Sequence, residues 1–240
     1  MAPLLEVQRV TKRFGGFRAL HDVSLQVREG ERFGLIGPNC SGKTTLIHCI
    51  SGALRNEGGS IRFRGRDITT LPAYQRTRLG IARSFQIPRP FSSMTVLENL
   101  RIPLEYAAHA EVARADVASE AIGILRLIGL EEKAQVRPAD LTQIDMRKLE
   151  LARAMAAKPK LLISDEAMAG LSSAEVDDIL PILFALNARG ITIIMIEHIM
   201  RAVMRFSERI AVLDAGEKIA EGTPEEVVNN KLVEKAYLGE

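Results

Sequence analysis

Gly37-Pro38-Asn39-Cys40-Ser41-Gly42-Lys43-Thr44 keeps the spacing G-x-x-x-x-G-K-[ST] without interruption. Each part of that spacing answers a chemical need. Glycines let backbone N–H groups turn inward around phosphate oxygens, Lys43 brings a point charge to the β- and γ-phosphates, and Thr44 offers a hydroxyl to Mg²⁺. The apolar run Phe33-Gly34-Leu35-Ile36 precedes the stretch, and helix-compatible residues follow from Thr44 to Ala53. A strand therefore enters the loop and a helix leaves it, a context that a Gly/Ser surface turn does not require. The pattern implies a bound nucleoside triphosphate.

Composition narrows the rest. With 240 residues, 47% of them apolar, the chain can build one large domain or a core with a small insert, and is not largely disordered. A net charge of +2 without a Lys/Arg run gives no support for nucleic-acid binding. The two cysteines, Cys40 and Cys49, form no disulfide framework and suit a reducing compartment. Met1-Ala2-Pro3-Leu4-Leu5-Glu6 lacks a basic n-region and a long apolar stretch, so no signal peptide is expected. The run Ile191 to Ile196 is strand-length and too short to span a bilayer. The protein is expected to be soluble, or peripheral to a membrane through a partner.

Along the chain the first third reads as β-rich. Alternating segments at Leu5 to Val10, Val23 to Val27 and Ser60 to Phe63 are separated by Gly-containing turns. From Val96 to Lys158 the pattern turns helical; Val117, Ala121, Ile124, Leu125 and Ile128 share one helix face, and Gly129 stands where a stop is expected. Two short apolar strands follow, Leu161 to Ile163 and Ile191 to Ile196. Strands alternating with helices argue for a parallel sheet covered by helices.

Other candidate site residues lie at the ends of these strands. Lys160-Leu161-Leu162-Ile163-Ser164-Asp165-Glu166 is an apolar strand ending in two carboxylates. In a phosphate-loop enzyme such an Asp holds Mg²⁺ directly or through water, and Glu166 is placed to polarise the attacking water. Gln86 closes Ile81-Ala82-Arg83-Ser84-Phe85-Gln86 and can reach Mg²⁺ or that water; an exposed loop glutamine is the other reading. His198, after the strand ending at Ile196, can donate to the γ-phosphate, or it is simply a satisfied structural histidine. Phe14, before Gly15-Gly16, can stack on a purine or belong to the core.

The order of phosphate loop, Gln86, helical stretch, Asp165-Glu166 and His198 resembles the ATP-binding cassette of ABC transporters over nearly the whole chain. Within that family it looks most like the ATP-binding subunit of branched-chain amino acid importers. The likeness rests on Gly80-Ile81-Ala82-Arg83-Ser84-Phe85-Gln86, Leu149-Glu150-Leu151-Ala152-Arg153-Ala154, Ala169-Gly170-Leu171 and Ile196-Glu197-His198. Ile219 to Pro224 and the tail Ala236-Tyr237-Leu238-Gly239 fit as well. The resemblance implies an α/β fold: a P-loop NTPase core with a parallel sheet covered by helices, an N-terminal antiparallel β subdomain and an inserted helical subdomain. The core would comprise residues 1–87 and 159–240, and the helical subdomain residues 88–158.

It also implies roles. Gly37 to Thr45, that is Gly37, Pro38, Asn39, Cys40, Ser41, Gly42, Lys43, Thr44 and Thr45, would bind the phosphates of ATP, and Phe14 would stack on adenine. Thr44, Gln86 and Asp165 would serve Mg²⁺, Glu166 would be the general base, and His198 the γ-phosphate switch. Hydrolysis in the family needs two cassettes head to tail, each completing the other's site. Transmembrane permease subunits would dock on the helical subdomain, placing the chain at the cytoplasmic face of the cell membrane with no nucleic-acid partner.

The family's signature, L-S-G-G-Q or a near variant, is here Leu141-Thr142-Gln143-Ile144-Asp145. Thr142 keeps a hydroxyl for the γ-phosphate of the partner's nucleotide, and Gln143 follows it. Ile144 puts a β-branched side chain where glycine lets backbone approach phosphate. Asp145 puts a charge where a neutral amide is usual; two unit charges about 5 Å apart repel by roughly 3 kcal/mol at an effective dielectric near 20 unless the carboxylate turns away. These departures point to the asymmetric half of a heterodimer, with a homodimer as the alternative. Cys40 stands where a loop glycine is usual, Ser164 and Ala167 where apolar residues and proline are common, and Ser172 where many members have Asp.

The leading expectation is an ATPase that powers import of a small solute, branched-chain amino acids first. Another cargo, such as lipopolysaccharide or other amino acids or amides, and a regulatory cassette with weak hydrolysis remain open. A GTPase is disfavoured, because Asn229-Asn230-Lys231-Leu232 lacks the Asp of a guanine-reading N-K-x-D motif.

Overall fold

The computed structural model describes residues 3–85, 87–106 and 116–238. The chain falls into two units, residues 1–76 with 192–240 and residues 77–191.

The first unit opens with β1 (Leu5–Phe14) and β2 (Phe17–Val27), an antiparallel pair with Leu5 opposite Val27 and Phe14 opposite Phe17. Leu5, Val7 and Val10 on one strand and Val23, Leu25 and Val27 on the other are buried and give the pair its apolar face. The register shifts between Val7 and Val10, where Arg9 takes a φ of 45°, the mark of a bulge. Both strands outrun the segments that alternation marks, because the backbone ladder carries polar positions too. β3 (Arg32–Ile36) is buried from Phe33 onward, as a strand covered on both faces must be, and leads through the glycine-rich loop into α1 (Lys43–Ser51). β4 (Gly58–Phe63) and β5 (Arg66–Asp67) complete a four-stranded antiparallel sheet in the order β2-β1-β4-β5, the expected N-terminal β element. α2 (Ala73–Arg78) leads onward.

The second unit begins with β6 (Ile81–Ser84) and continues through α3 (Val96–Tyr106), α4 (Val117–Ile128) and α5 (Gln143–Ala156), which pack on one another. α4 buries Val117, Ala121, Ile124, Leu125 and Ile128, the five positions its periodicity picks out. It stops at Gly129, whose φ of 75° lets Leu130 N–H reach back to the Leu125 carbonyl at 2.8 Å. β7 (Leu161–Asp165) runs parallel to β6, with Ser84 opposite Ser164. α6 (Ser173–Ala188) begins at a capping box made by Ser172 and Glu175.

The chain then returns to the first unit as β8 (Thr192–Ile196), α7 (Met200–Phe206), β9 (Arg209–Asp214), β10 (Glu217–Gly222), α8 (Pro224–Val228) and α9 (Lys231–Leu238). β3 is parallel to both β8 and β9, and β10 is antiparallel to β9. Parallel strands joined through helices place the molecule in the α/β class. Among the described residues no helix is long and apolar enough to cross a membrane.

Candidate nucleotide site

The loop between β3 and α1 takes a backbone path that only its sequence permits. Gly37 has φ 152°, and a Cβ there would lie 2.0 Å from the Leu213 carbonyl oxygen. Gly42 has φ 102°, and its Cβ would lie 2.7 Å from the Ala19 carbonyl oxygen. Both positions exclude a side chain by conformation and by space. Cys40 has an exposed thiol and φ 62°, a region that glycine enters more easily. Lys43 is 6% exposed, and its Nζ donates to Gly37 O at 2.7 Å, Pro38 O at 2.9 Å and Ser41 Oγ at 3.3 Å. The ammonium is thereby fixed inside the curve of the loop.

Ser41 is buried, while Pro38 and Thr45 are half-buried and Asn39 and Thr44 exposed. No acidic residue occupies the first turn of α1, so the N–H groups and dipole at that end favour an anion. At the other end of α1, buried Arg76 donates to the Cys49 carbonyl at 2.6 Å and the Ile50 carbonyl at 2.9 Å. It also holds Thr69 O at 3.0 Å and Leu71 O at 2.9 Å. A guanidinium on the carbonyl end of the helix complements its dipole, and burial lowers the Arg76 pKa against the pull of its neighbours. Sequence reasoning missed this residue.

Phe14 is 48% exposed at the end of β1, which removes the core reading, and Lys12 Nζ stands 5.5 Å from its ring centroid. Phe17, unmarked in the sequence, is a second exposed aromatic opposite it. His198 is exposed just beyond β8.

In the second unit, Asp165 ends β7 and is 3% exposed. Its Oδ2 accepts from Arg83 Nη2 at 2.5 Å, an ion pair between adjacent strands that sequence reasoning did not anticipate. Glu166 has φ 49°, a conformation costly for glutamate and common where a site dictates the backbone. Gln86 lies outside the described residues. Beyond it, Glu150 Oε1 accepts from Arg89 N–H at 3.2 Å and from Arg153 Nη1 at 2.7 Å, while Arg153 also donates to Arg89 O at 2.8 Å. α5 thus grips the segment that follows Gln86.

The signature stretch forms the start of α5. Thr142 is its N-cap, accepting from Asp145 N–H at 3.3 Å, and its hydroxyl donates to Asp145 Oδ2 at 2.6 Å. Asp145 is 6% exposed and ion-paired with Lys133. Its carboxylate therefore turns back onto its own helix and does not project as a bare charge. Burial raises the Asp145 pKa, but the hydrogen bonds from Lys133 and Thr142 outweigh it and hold the carboxyl below its ordinary value. Gln143 Nε2 lies 3.4 Å from Gly170 O. Ile144 is half-buried.

Among the described residues no group of three or more His, Cys, Asp or Glu could hold a metal ion. The oxygen donors of Thr44 and Asp165 are of the kind Mg²⁺ takes, and with substrate phosphates it needs few protein ligands.

Residues 20–169 match the ABC transporter family model, and residues 217–240 match that of the branched-chain amino acid ATP-binding cassette transporter. The chain belongs to the ABC transporter family. The high-affinity branched-chain amino acid transport ATP-binding protein LivG of Salmonella typhimurium is 40% identical, covering 99% of this chain and 98% of its own length. BraF of Pseudomonas aeruginosa, with the same description, is 36% identical over 99% and 98%. Among solved structures, the ADP conformation of an ATP-binding cassette of an ABC transporter superposes with a TM-score of 0.90 at 33% identity, covering all of both chains. A dimeric bacterial ABC transporter cassette matches with a TM-score of 0.83 at 27% identity, over 92% of this chain and 98% of its own. The cassette is thus an ATP-binding ATPase subunit with the P-loop NTPase fold.

Proposed function

We propose that this cassette hydrolyses ATP to drive import of branched-chain amino acids through permease subunits that it meets at the membrane surface. The observation that carries the reading is the glycine-rich loop of the first unit, with Lys43 fixed inside it by Gly37, Pro38 and Ser41. Residues Gly37 to Thr45 bind the phosphates, with Phe14 stacking on adenine. Asp165, Thr44 and Gln86 are the residues that would hold Mg²⁺, and the ion would supply neutralisation of charge on the transferred phosphoryl group. Glu166 draws the proton from the attacking water, and His198 donates a hydrogen bond to the γ-phosphate. The helical stretch 88–158 receives the permease, and the chain acts at the cytoplasmic face. The relatives named for branched-chain amino acid transport, matched over nearly their whole length, support this cargo over lipopolysaccharide or other amides. The test is ATP-dependent uptake of labelled leucine into vesicles carrying the chain with its co-expressed partners. Uptake abolished by Lys43→Ala is expected; uptake that persists would remove the chain from the transport step.

A second reading concerns the partner nucleotide. Thr142 spends its hydroxyl proton on Asp145, and Ile144 replaces the glycine of the family's signature. We infer that the site served by Thr142, Gln143, Ile144 and Asp145 is the weaker of two, so that the chain pairs with a different cassette whose own signature is intact.

A further inference from the structure

We propose that Arg83 determines which divalent cation Asp165 favours. By taking one carboxylate oxygen for itself, Arg83 leaves Asp165 a single oxygen to offer, which suits a small octahedral ion better than a larger one. Strand register brings the two residues together. Arg83 lies opposite Ile163 in the parallel pair of β6 and β7. Asp165 is two residues further along β7, so its side chain leaves the sheet on the same face as that of Ile163. The long arginine side chain spans the diagonal, and its Nη2 donates to Asp165 Oδ2 at 2.5 Å.

The pair is enclosed. Side-chain exposure is 11% for Arg83 and 5% for Asp165. Phe85 bounds the guanidinium, with its ring centroid 5.5 Å from the guanidinium carbon. The Asp165 N–H reaches the Ser84 hydroxyl at 3.4 Å, so backbone and side chain of Asp165 are both tied to β6. Arg83 Nε is buried with no hydrogen-bond partner among the described residues. That orphaned donor carries a desolvation cost, which the charge-assisted bond to Asp165 offsets. Among the described residues Oδ1 accepts no hydrogen bond, and it is the oxygen left for a cation or its water.

The number of oxygens offered separates the candidate ions. Mg²⁺ demands near-ideal octahedral geometry, keeps several waters and is bound through few carboxylates, whereas Ca²⁺ gathers more oxygens and readily takes both from one carboxylate. A carboxylate with one oxygen already occupied suits the first ion and handicaps the second. Hydrogen-bonding partners of ligating carboxylates typically change metal affinity by about 10–100-fold.

Arg83 is a positioning residue, since it acts through Asp165. The inference rests on the reading of Asp165 as a residue that serves Mg²⁺, and Asp165→Asn tests that reading separately. Full-length wild type, Asp165→Asn, Arg83→Met, Arg83→Gln and Arg83→Lys are titrated with a fluorescent ADP in Mg²⁺, in Ca²⁺ and in EDTA. The readout is the ratio of ADP affinities in the two metals, which a general loss of stability would not move. Wild type should bind ADP more tightly in Mg²⁺. Arg83→Met removes the donor and Arg83→Gln is too short to span the same gap. Each is expected to lower the Mg²⁺-to-Ca²⁺ ratio about tenfold with binding in EDTA unchanged, and either suffices if the other does not fold. Arg83→Lys can still donate to Oδ2 and should keep most of the wild-type ratio. A wild type without the preference, a ratio within twofold of wild type in a folded Met or Gln variant, or an equal loss in all three conditions overturns the proposal. If Asp165→Asn keeps the metal dependence of the wild type, the assignment of Asp165 to the metal fails, and the role of Arg83 falls with it.

Discussion

Ser164 is wholly buried in β7, and its hydroxyl has no hydrogen-bond partner among the described residues. An orphaned buried hydroxyl carries a desolvation penalty that an apolar group of the same size does not. Ser164→Ala is therefore expected to stabilise the fold by about 1 kcal/mol and to raise the thermal midpoint by about 2–4 °C; a lower midpoint in a calorimetric scan would show that the hydroxyl is satisfied. Asp145 behaves in the opposite sense. Its folded-state pKa is depressed, so the stability it contributes is present above the unfolded value of about 3.9 and is lost as pH falls through the folded value. Denaturant titrations of wild type and Asp145→Asn should differ at neutral pH and converge below about pH 4. Cys40 gives a chemical prediction. Its exposed thiol lies within the phosphate loop, so alkylation should abolish nucleotide binding and ATP should protect; modified Cys40 with normal binding would count against the loop as the site. At this scale the sequence exposed the residues whose work is done by neighbours in the chain. Gly37, Gly42 and Lys43 stand together because a phosphate cradle is built from consecutive backbone. The pairing of Asp145 with Lys133 was hidden, since it reaches back to a 3-10 turn at Glu131–Lys133 and no periodicity reports it.

Helix α1 shows what an element adds. Its N-terminal end meets the phosphate loop, and its C-terminal carbonyls are held by Arg76, which has no sequence signal because the groups its guanidinium grips are backbone oxygens. Arg76→Met would leave these carbonyls without their donor in a buried place, at a cost of about 3 kcal/mol or more. Arg76→Lys should recover only part, because three ammonium donors replace five in a fixed fork. Urea titration of the three proteins checks the order; equal midpoints would mean that the fold repacks without the guanidinium. α4 was legible in full, since its burial follows one clean period and its stop is a glycine in the left-handed region. β9 and β10 went unmarked, although Ile210 to Leu213 form a buried apolar run, because a run that short reads equally as strand or helix.

For the whole molecule, the ABC family fold and the relatives fix an ATPase, while the share of activity at each nucleotide is the part that the proposed reading of the signature stretch addresses. If the Thr142–Asp145 stretch makes the weaker site, restoring Gly at Ile144 and Gln at Asp145 should raise ATPase in the assembled complex severalfold; an unchanged rate would make the departure a tolerated variant. Glu166 has a positive φ directly after β7, and its proposed role as general base is what Glu166→Gln tests. The most direct measurement is steady-state ATPase of the chain, alone and with its co-purifying cassette and permease partners, comparing wild type with Glu166→Gln. Activity should emerge with the partners and fall by about 10² or more in the variant, the range a general base supplies. A complex that hydrolyses ATP equally well with Glu166→Gln would contradict the account and place the hydrolysis in another chain.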